Sequence, residues 1–283
     1  MRDGGDVESW PVSDFEIRTR VKRVLAAPEP YSGHLSGVRF DAPLAGVNFQ
    51  GAVFEDVDFS GLHVDRFHIS GSTFDRCDFS GSVLRMGSFS VPPQSVYRDC
   101  RFDGADLRRC NPGVTRFERC SFDKARIDGW DCTHNDFIDC RFAGRLRGVL
   151  FSGGVRDDPV VREGDSERLK ALKRLNASRR PNEFHGNDFR DAVFDGVEFL
   201  GGIDLDAQVL PDDPEFVRFD IRPETLARVK SFALSLPPDE QERALKLLGW
   251  LQVRYRHQPE ALTNSLGEYT FGLYRDLLRQ LPN

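Results

Sequence analysis

Several features that define common protein classes are missing from this sequence. The chain has 283 residues and no run of about 18 or more apolar residues, so we expect no membrane-spanning helix. Its start lacks the apolar run after a basic region that marks a signal peptide. With 39 basic and 45 acidic residues the net charge is -6, which argues against a polybasic nucleic-acid binder. We therefore expect neither a membrane nor direct nucleic acid as a partner.

Motifs for catalysis and metal binding are also missing. The sequence contains no P-loop, Rossmann glycine pattern, His-Glu-x-x-His or Gly-x-Ser-x-Gly. His63 and His68 are five residues apart and are expected to point outward from adjacent sides. They are therefore poorly placed to bind the same metal ion. Cys132 and His134 could approach each other, but a zinc site requires three or four ligands. The sequence thus predicts no enzyme, no bound metal and no cofactor.

The six cysteines include no Cys-x-x-Cys pair. All six fit as reduced residues of a core or wall, which agrees with a cytoplasmic location.

Phenylalanine, in contrast, is unusually frequent, with 23 residues against five tyrosines and three tryptophans. Apolar positions recur every five residues, at Leu44, Phe49, Phe54, Phe59, Val64, Ile69, Phe74, Phe79, Leu84 and Phe89, then after a slip of three at Tyr97, Phe102, Leu107, Pro112, Phe117, Phe122, Ile127, Cys132, Phe137 and Phe142, and after a long break at Phe184, Phe189, Phe194 and Phe199. Phe, Leu, Ile, Val or Tyr fills 22 of these 24 positions. A period of five fits neither a helix nor a flat strand. It indicates a coil in which five residues turn one corner and the apolar centre points inward.

Small residues precede most centres by two positions, and polar residues and glycine lie between them. Segments such as Val57-Asp-Phe-Ser-Gly, Cys77-Asp-Phe-Ser-Gly, Cys100-Arg-Phe-Asp-Gly and Ala192-Val-Phe-Asp-Gly resemble pentapeptide-repeat proteins, over about residues 38–151 and 182–206. The resemblance implies a mainly β fold, a right-handed quadrilateral β-helix with four pentapeptides per coil. About six coils stacked at roughly 4.8 Å would form a rod about 29 Å long.

Four repeats per coil make 20 residues the stacking period. Cys100, Cys120 and Cys140 should therefore form one inward ladder, with Phe102, Phe122 and Phe142 stacked beside them. A metal or redox site is one interpretation of such a ladder. The other is that cysteine serves as a small buried apolar residue. Trp130 occupies a position where a small residue is expected, so the coil should bulge or turn the ring outward. It is either a local distortion or an exposed aromatic anchor for a partner.

Three regions are expected along the chain. Residues 1–37 form an N-terminal cap with a short helix beginning at Ser13 or Asp14. Residues 38–206 form the β-helix, interrupted at about 152–183. Residues 207–283 form an α-helical module, with helices starting near Pro223 and Asp239 and one or two more spanning Leu262 to Leu281. This module is either a cap that packs within the chain or a dimer interface. Some members of the resembling family pair end to end through such caps, which implies a possible homodimer.

The interruption combines a basic segment with an acidic coil. It contains a predicted helix capped by Asp165. Residues 152–182 hold eight basic and five acidic side chains, whereas residues 183–206 hold one basic and seven acidic ones. Either the insertion packs on the acidic coil, or it projects as an arm that contacts a partner. The candidate contacts are Arg168, Lys170, Lys173, Arg174, Asp188, Asp191, Asp195, Glu198 and Trp130.

A rigid convex rod offers no obvious cleft for catalysis, so the predicted function is a non-enzymatic protein-interaction scaffold or regulator. The alternative comes from the resemblance. Some pentapeptide-repeat proteins mimic duplex DNA in width and acidity, bind the topoisomerase DNA gyrase and protect it from quinolones or peptide-like toxins. The coils through residue 151 are nearly neutral, whereas a DNA mimic requires a sustained negative field.

Overall fold

The computed structural model describes residues 30–40, 46–154, 163–164, 166–167, 170, 180–213, 216–263 and 276–277. The predicted N-terminal helix lies outside these residues. The described part forms a right-handed β-solenoid of about six turns, followed by a module with two helices. None of the helices in these ranges is long and apolar enough to cross a membrane.

Short strands make up the sides of the coil. In chain order they are β1 (His34–Ser36), β2 (Val47–Gln50), β3 (Val53–Glu55), β4 (His63–Val64), β5 (Phe67–Ser70), β6 (Thr73–Asp75), β7 (Val83–Leu84), β8 (Ser88–Val91), β9 (Ser95–Arg98), β10 (Thr115–Glu118), β11 (Ser121–Asp123), β12 (Ile127–Asp128), β13 (Asp131–Cys132), β14 (Asp136–Ile138), β15 (Arg141–Arg147), β16 (Leu150–Ser152), β17 (Phe184–His185), β18 (Asp188–Asp195), β19 (Glu198–Leu200), β20 (Val217–Asp220) and β21 (Glu260–Thr263). All pairs within the coil are parallel, because each strand lies on the strand one turn earlier.

The coil has four sides, numbered in the order in which the chain visits them. The first side is a seven-stranded sheet in the order β1-β3-β6-β9-β10-β14-β17. The second holds β11 with the starts of β15 and β18, and the third holds β4, β7 and β12 with the ends of β15 and β18. The fourth consists of β2-β5-β8 and then β13-β16-β19.

The core is a set of aromatic stacks that run along the axis. On the second side Phe59, Phe79, Phe102, Phe122, Phe142 and Phe189 stack face to face, with centroids 4.7 to 5.0 Å apart. This spacing equals the distance between neighbouring strands, so one ring per turn fills the interior. The predicted stacking of Phe102, Phe122 and Phe142 is confirmed.

Two irregularities in the period are absorbed without breaking the coil. Phe74 pairs with Tyr97 rather than with residue 94, since a loop through Pro92 and Pro93 holds three extra residues. Ile127 pairs with Leu146, one residue short of the usual 20. The coil therefore continues past Phe142 through Leu146 and Phe151, although the regular count of five is lost after Phe142. The break follows Ser152, where β16 ends.

One corner carries a column of charges. Asp56, Arg76, Asp99, Arg119 and Asp139 follow the first side in successive turns, all with φ between 50° and 54°. Arg76 binds Asp56 through Nε at 2.7 Å and Nη2 at 2.9 Å, and Arg119 binds Asp99 through the same two atoms, each at 2.7 Å. The left-handed turn is unfavourable for these side chains. The ion pairs along the column hold this corner together.

Coil pairing ends at Val209, which bridges to Asp188. The chain then forms an antiparallel pair, β20 with β21, and two helices, α1 (Pro223–Ala233) and α2 (Pro238–Arg254). These elements pack around a second apolar core that includes Val229, Ala244 and Leu251.

The helices predicted near Pro223 and Asp239 are confirmed. The prediction of a purely helical module is wrong, because Leu262 lies on β21, and its backbone pairs with Arg218. Most of the predicted last helices, from Leu266 through Tyr274, fall outside the described residues.

Candidate interaction site

The two ends of the insertion meet at one point of the coil. The Asn182 backbone N–H donates to the Gly153 carbonyl at 2.9 Å. The Asn182 side-chain amide donates to the carbonyls of Ser152 at 2.8 Å and Thr133 at 3.0 Å. Gly153 and Asn182, at the two described ends of the insertion, therefore form a closed neck between the fourth and first sides. The sequence alone could not identify this neck, because Asn182 occupies the position two residues before the centre Phe184, where a small residue is usual in every repeat.

Asp136 fixes the returning end of the insertion to the coil. Its side chain is 3% exposed and its Oδ2 lies 2.8 Å from Arg180 Nη2. Its Oδ1 accepts the backbone N–H of Glu183 at 2.8 Å, and Gln94 Nε2 donates to Oδ2 at 3.1 Å. A buried carboxylate needs several such donors to offset its lost hydration. Asp136 thus joins segments that are about 40 residues apart in the chain.

Arg116 extends this network along the first side. Its guanidinium donates to Glu183 at 2.9 Å, lies 3.5 Å from Asp136 and also binds Glu118. The hydrogen bond from Arg116 lowers the pKa of Glu183, so the carboxylate stays charged well below neutral pH. The network is a structural clamp at the base of the insertion.

The four predicted acidic contacts of the last coil are all paired with arginines. Asp188 binds Arg190 at 2.9 Å and Asp191 binds Arg141 at 2.6 Å. Asp195 lies 3.6 Å from Arg145 and 3.9 Å from Arg147, and Glu198 binds Arg254 of α2. These four acids are therefore compensated by arginines of the same coil, of the turn before it and of the C-terminal module. From the end of the insertion, Arg180 pairs instead with Glu183 at 3.2 Å, where the acidic coil begins.

Of the predicted basic contacts, only Lys170 lies within the described residues. Its Nζ binds Glu167 at 2.8 Å. Arg168, Lys173 and Arg174 lie outside the described part of the chain, and their partner-contacting role stays a prediction.

Trp130 is not an exposed anchor. Its side chain lies inside the coil at 1% exposure, and its Nε1 donates to the Leu107 carbonyl at 3.2 Å. The reason is an exchange of sizes between neighbouring positions. The centre that usually holds a large apolar side chain holds Cys132, and the centre one turn earlier holds Pro112, which is also small. The indole fills the space that these two residues leave, next to Phe89.

The cysteine ladder has four members, since Cys77 precedes the three that were predicted. Each thiol sulfur lies within hydrogen-bond distance of two backbone carbonyls of the first side, one in its own turn and one in the turn before. The Sγ–O distances to the earlier turn are 3.5 Å for Cys77 to Phe54, 3.5 Å for Cys100 to Phe74, 3.4 Å for Cys120 to Tyr97 and 3.4 Å for Cys140 to Phe117. The three-residue slip at Pro92 and Pro93 hides Cys77 from a strict period of 20.

Amide side chains take over this role in the last turns. Asn187 Nδ2 donates to the Phe137 carbonyl at 2.9 Å, and Gln208 Nε2 donates to the Phe184 carbonyl at 3.1 Å. Thiols and amides therefore do the same work, satisfying a carbonyl that points into the core. This supports the packing interpretation of the ladder over a redox one.

The described residues include no group of three or more side chains suited to bind a metal. All six cysteines are buried and unpaired by disulfides. Burial raises the pKa of Cys110 to about 12 and also raises the pKa of Cys132, so these thiols are not primed for nucleophilic chemistry.

No protein-family model and no curated protein matches the chain. Solved structures do. Full-length QnrB1, a plasmid-mediated fluoroquinolone resistance protein, is 16% identical, and the match covers 65% of this chain and 92% of that one, with a TM-score of 0.33. HetL, a pentapeptide-repeat protein involved in heterocyst differentiation regulation from the cyanobacterium Nostoc sp. strain PCC 7120, is 13% identical, with 69% and 97% covered and a TM-score of 0.21. At these scores the likenesses say nothing about function.

Proposed function

We propose that this chain, a pentapeptide-repeat protein by its five-residue period and its four-sided coil, is a non-enzymatic interaction scaffold. The observation that carries the proposal is the clamp at Asp136, which anchors the insertion at 155–179 to a stiff coil. Binding residues are often carried by segments that a rigid scaffold holds at both ends.

The C-terminal module is attached with similar rigidity. Gln258 Oε1 accepts the backbone N–H groups of Gly202 at 3.1 Å and Ile203 at 2.9 Å, and its Nε2 donates to the Ile203 carbonyl at 2.7 Å. Gln258 is buried, and the Glu198–Arg254 ion pair lies on the same junction. The coil thus supports two attachments, the insertion and the module, and we propose that it holds partners of each at a fixed spacing.

A gyrase-binding DNA mimic is the second candidate, and one observation favours it. The outward residues of the first side hold an excess of acids, with Glu55, Asp56, Asp75, Asp99, Glu118, Asp139 and Glu183 against Arg76, Arg98, Arg116 and Arg119. However, residues 36–151 contain 15 basic and 16 acidic side chains in total. Duplex DNA has about one charge per 1.7 Å, or roughly 17 over the 29 Å of this rod. The charge of the coil therefore favours the scaffold.

The test compares partner capture by three immobilised proteins: the full chain, a variant with residues 155–179 replaced by a short Gly-Ser linker, and a control with Asp123→Asn on the second side. A partner retained by the full chain and the control but lost from the linker variant supports the scaffold. Capture that is the same for all three would remove the insertion from the proposal.

A supercoiling assay with purified DNA gyrase, with and without a fluoroquinolone, separates the two candidates. The scaffold predicts no change at any concentration of this protein. Inhibition, or rescue from the drug, would support the mimic instead. Light scattering after size-exclusion chromatography decides between a cap and a dimer interface at 207–283: a dimer that becomes a monomer when 207–283 is deleted supports the interface, and a monomeric full chain supports the cap.

A further inference from the structure

The third side of the coil differs from the others in its charge. Its outward positions hold seven arginines and four aspartates, namely Arg66, Arg85, Arg108, Arg109, Arg126, Arg145 and Arg147 with Asp65, Asp106, Asp128 and Asp195. We name this set of residues the arginine face. It lies opposite the first side, where acids are in excess. The coil is therefore polarised across its width, although its total charge is close to zero.

Asp106 organises the middle of the arginine face. Its side chain is nearly buried, and Arg108 binds both of its oxygens, at 2.8 and 2.7 Å. Arg126 from the next turn lies 3.8 Å from Oδ2, and Arg85 from the previous turn lies 4.0 Å away. One carboxylate thus faces guanidinium groups from three successive turns. The hydrogen bond from Arg108 lowers the pKa of Asp106, which keeps this counter-ion charged.

Asp195 has the same role in the last turns. Arg145 and Arg147 lie 3.6 and 3.9 Å from its Oδ2, and their side chains are 71% and 69% exposed. Each aspartate occupies only part of the hydrogen-bonding capacity of the arginines around it, because a guanidinium carries five N–H donors. The side chains of Arg85, Arg126, Arg145 and Arg147 are each more than half exposed, so they keep donors for a partner.

Apolar groups accompany these charges. Met86, beside Arg85, is 63% exposed, and Val193, at the opposite end of the face, is 54% exposed. Arginine and methionine are enriched in protein–protein interfaces. Binding of single-stranded nucleic acid relies instead on exposed aromatic rings, and the described residues of this face include none. The combination fits an acidic protein segment with apolar side chains better than it fits a phosphate backbone.

We infer that the arginine face binds an acidic segment of a partner protein. The aspartates within the face hold the guanidinium groups in place before binding, which reduces the entropy lost when the partner docks. This surface is separate from the insertion and from the C-terminal module, so the inference does not depend on the function proposed for them.

The test measures binding of a short fluorescein-labelled polyglutamate peptide by fluorescence anisotropy at about 0.05 M salt, where charges are weakly screened. The variant combines Arg126→Gln, Arg145→Gln and Arg147→Gln. The matched control combines Arg39→Gln, Arg101→Gln and Arg190→Gln, which removes equally many exposed arginines from the second side. Circular dichroism melting of all three proteins confirms that they are folded.

We expect the arginine-face variant to bind the peptide roughly tenfold more weakly than the full chain, with the control within about twofold. An equal loss in both variants would mean non-specific attraction and overturn the inference, as would failure of the full chain to bind. A short DNA duplex of the same label is the second probe. Tighter binding of the duplex than of the peptide would also overturn the inference, because the partner would then be nucleic acid.

Discussion

Arg180 and Asp136 are 44 residues apart in the chain, yet Nη2 of one lies 2.8 Å from Oδ2 of the other. The pair connects the far end of the insertion to β14, the sixth strand of the seven-stranded first sheet. A residue of the coil therefore anchors the insertion. We therefore expect a substitution of Asp136 to weaken the hydrogen bonds at the neck.

Asp136→Asn should destabilise the protein by about 1 to 3 kcal/mol, because Arg116 and Arg180 lose a charged acceptor. Urea unfolding measures this loss. Hydrogen exchange should also become faster at the amides of Asn182 and Glu183, which report on the neck. The exposed Asp65→Asn is the control, with an expected change within about 0.5 kcal/mol. Equal values for the two variants would show that Asp136 is not a clamp.

Trp130→Ala should cost about 3 to 5 kcal/mol, since it leaves a cavity and removes the indole hydrogen bond to the Leu107 carbonyl. Adding Cys132→Phe should recover a part of this loss by returning a large residue to the centre. The recovery appears as a positive coupling in a double-mutant cycle followed by urea unfolding. Independent, additive effects of the two substitutions would contradict the exchange of sizes described for this turn.

Cys120→Ala removes the thiol that binds the Tyr97 carbonyl and should destabilise the protein by about 1 to 3 kcal/mol. Cys120→Ser keeps a donor and should lose less. Both are read from urea unfolding. In a parallel labelling experiment, the buried thiols of the folded protein should react with a maleimide far more slowly than the same thiols in urea. Rapid labelling of the folded chain would contradict the packing role of the ladder.

Acid should weaken the protein through its aspartates. The hydrogen bond from Arg222 lowers the pKa of Asp220 to about 2, below the value of about 3.9 in an unfolded chain. A depressed folded-state pKa contributes stability that is complete above about pH 4 and is lost as the pH falls toward 2. We expect Asp220→Asn to be less stable than the parent by roughly 1 to 2 kcal/mol near pH 7.

The difference between Asp220→Asn and the parent should shrink as the pH approaches 2, because the parent carboxylate is then protonated as well. Urea midpoints measured at several pH values test this convergence. A constant difference over the whole range would show that the charge of Asp220 does not contribute to stability.

The sequence predicts the coil because its signal is repeated at every turn. Each apolar centre indicates which side of the coil its five residues occupy and which side chain points inward. It also indicates the residue one turn away on which that side chain stacks. The period fails where the chain deviates from it: three extra residues conceal that Cys77 stacks under Cys100, and one missing residue conceals Leu146 as a centre. Both deviations depend on how the backbone closes a loop, which a count of residues does not reveal.

The candidate site is less predictable for a different reason. The partners of Asp191 and Glu198 lie about 50 residues away, at Arg141 and Arg254. Which arginine reaches which carboxylate depends on the side and turn that each one occupies. Trp130 shows the same limit, since its burial depends on the small residues Pro112 and Cys132 in its neighbourhood. Local sequence patterns predict which residues lie on the wall of the coil. The side chains that pair across different turns can be assigned only from the three-dimensional structure.

The corner column that runs from Asp56 to Asp139 bears on how the solenoid assembles. Every turn of such a coil resembles every other, so a chain could omit one turn and still stack its rings. Such an omission would place Asp56 against Asp99, or Arg76 against Arg119, and like charges in direct opposition are destabilising. The alternation of negative and positive charge along this column therefore disfavours any assembly that skips a single turn.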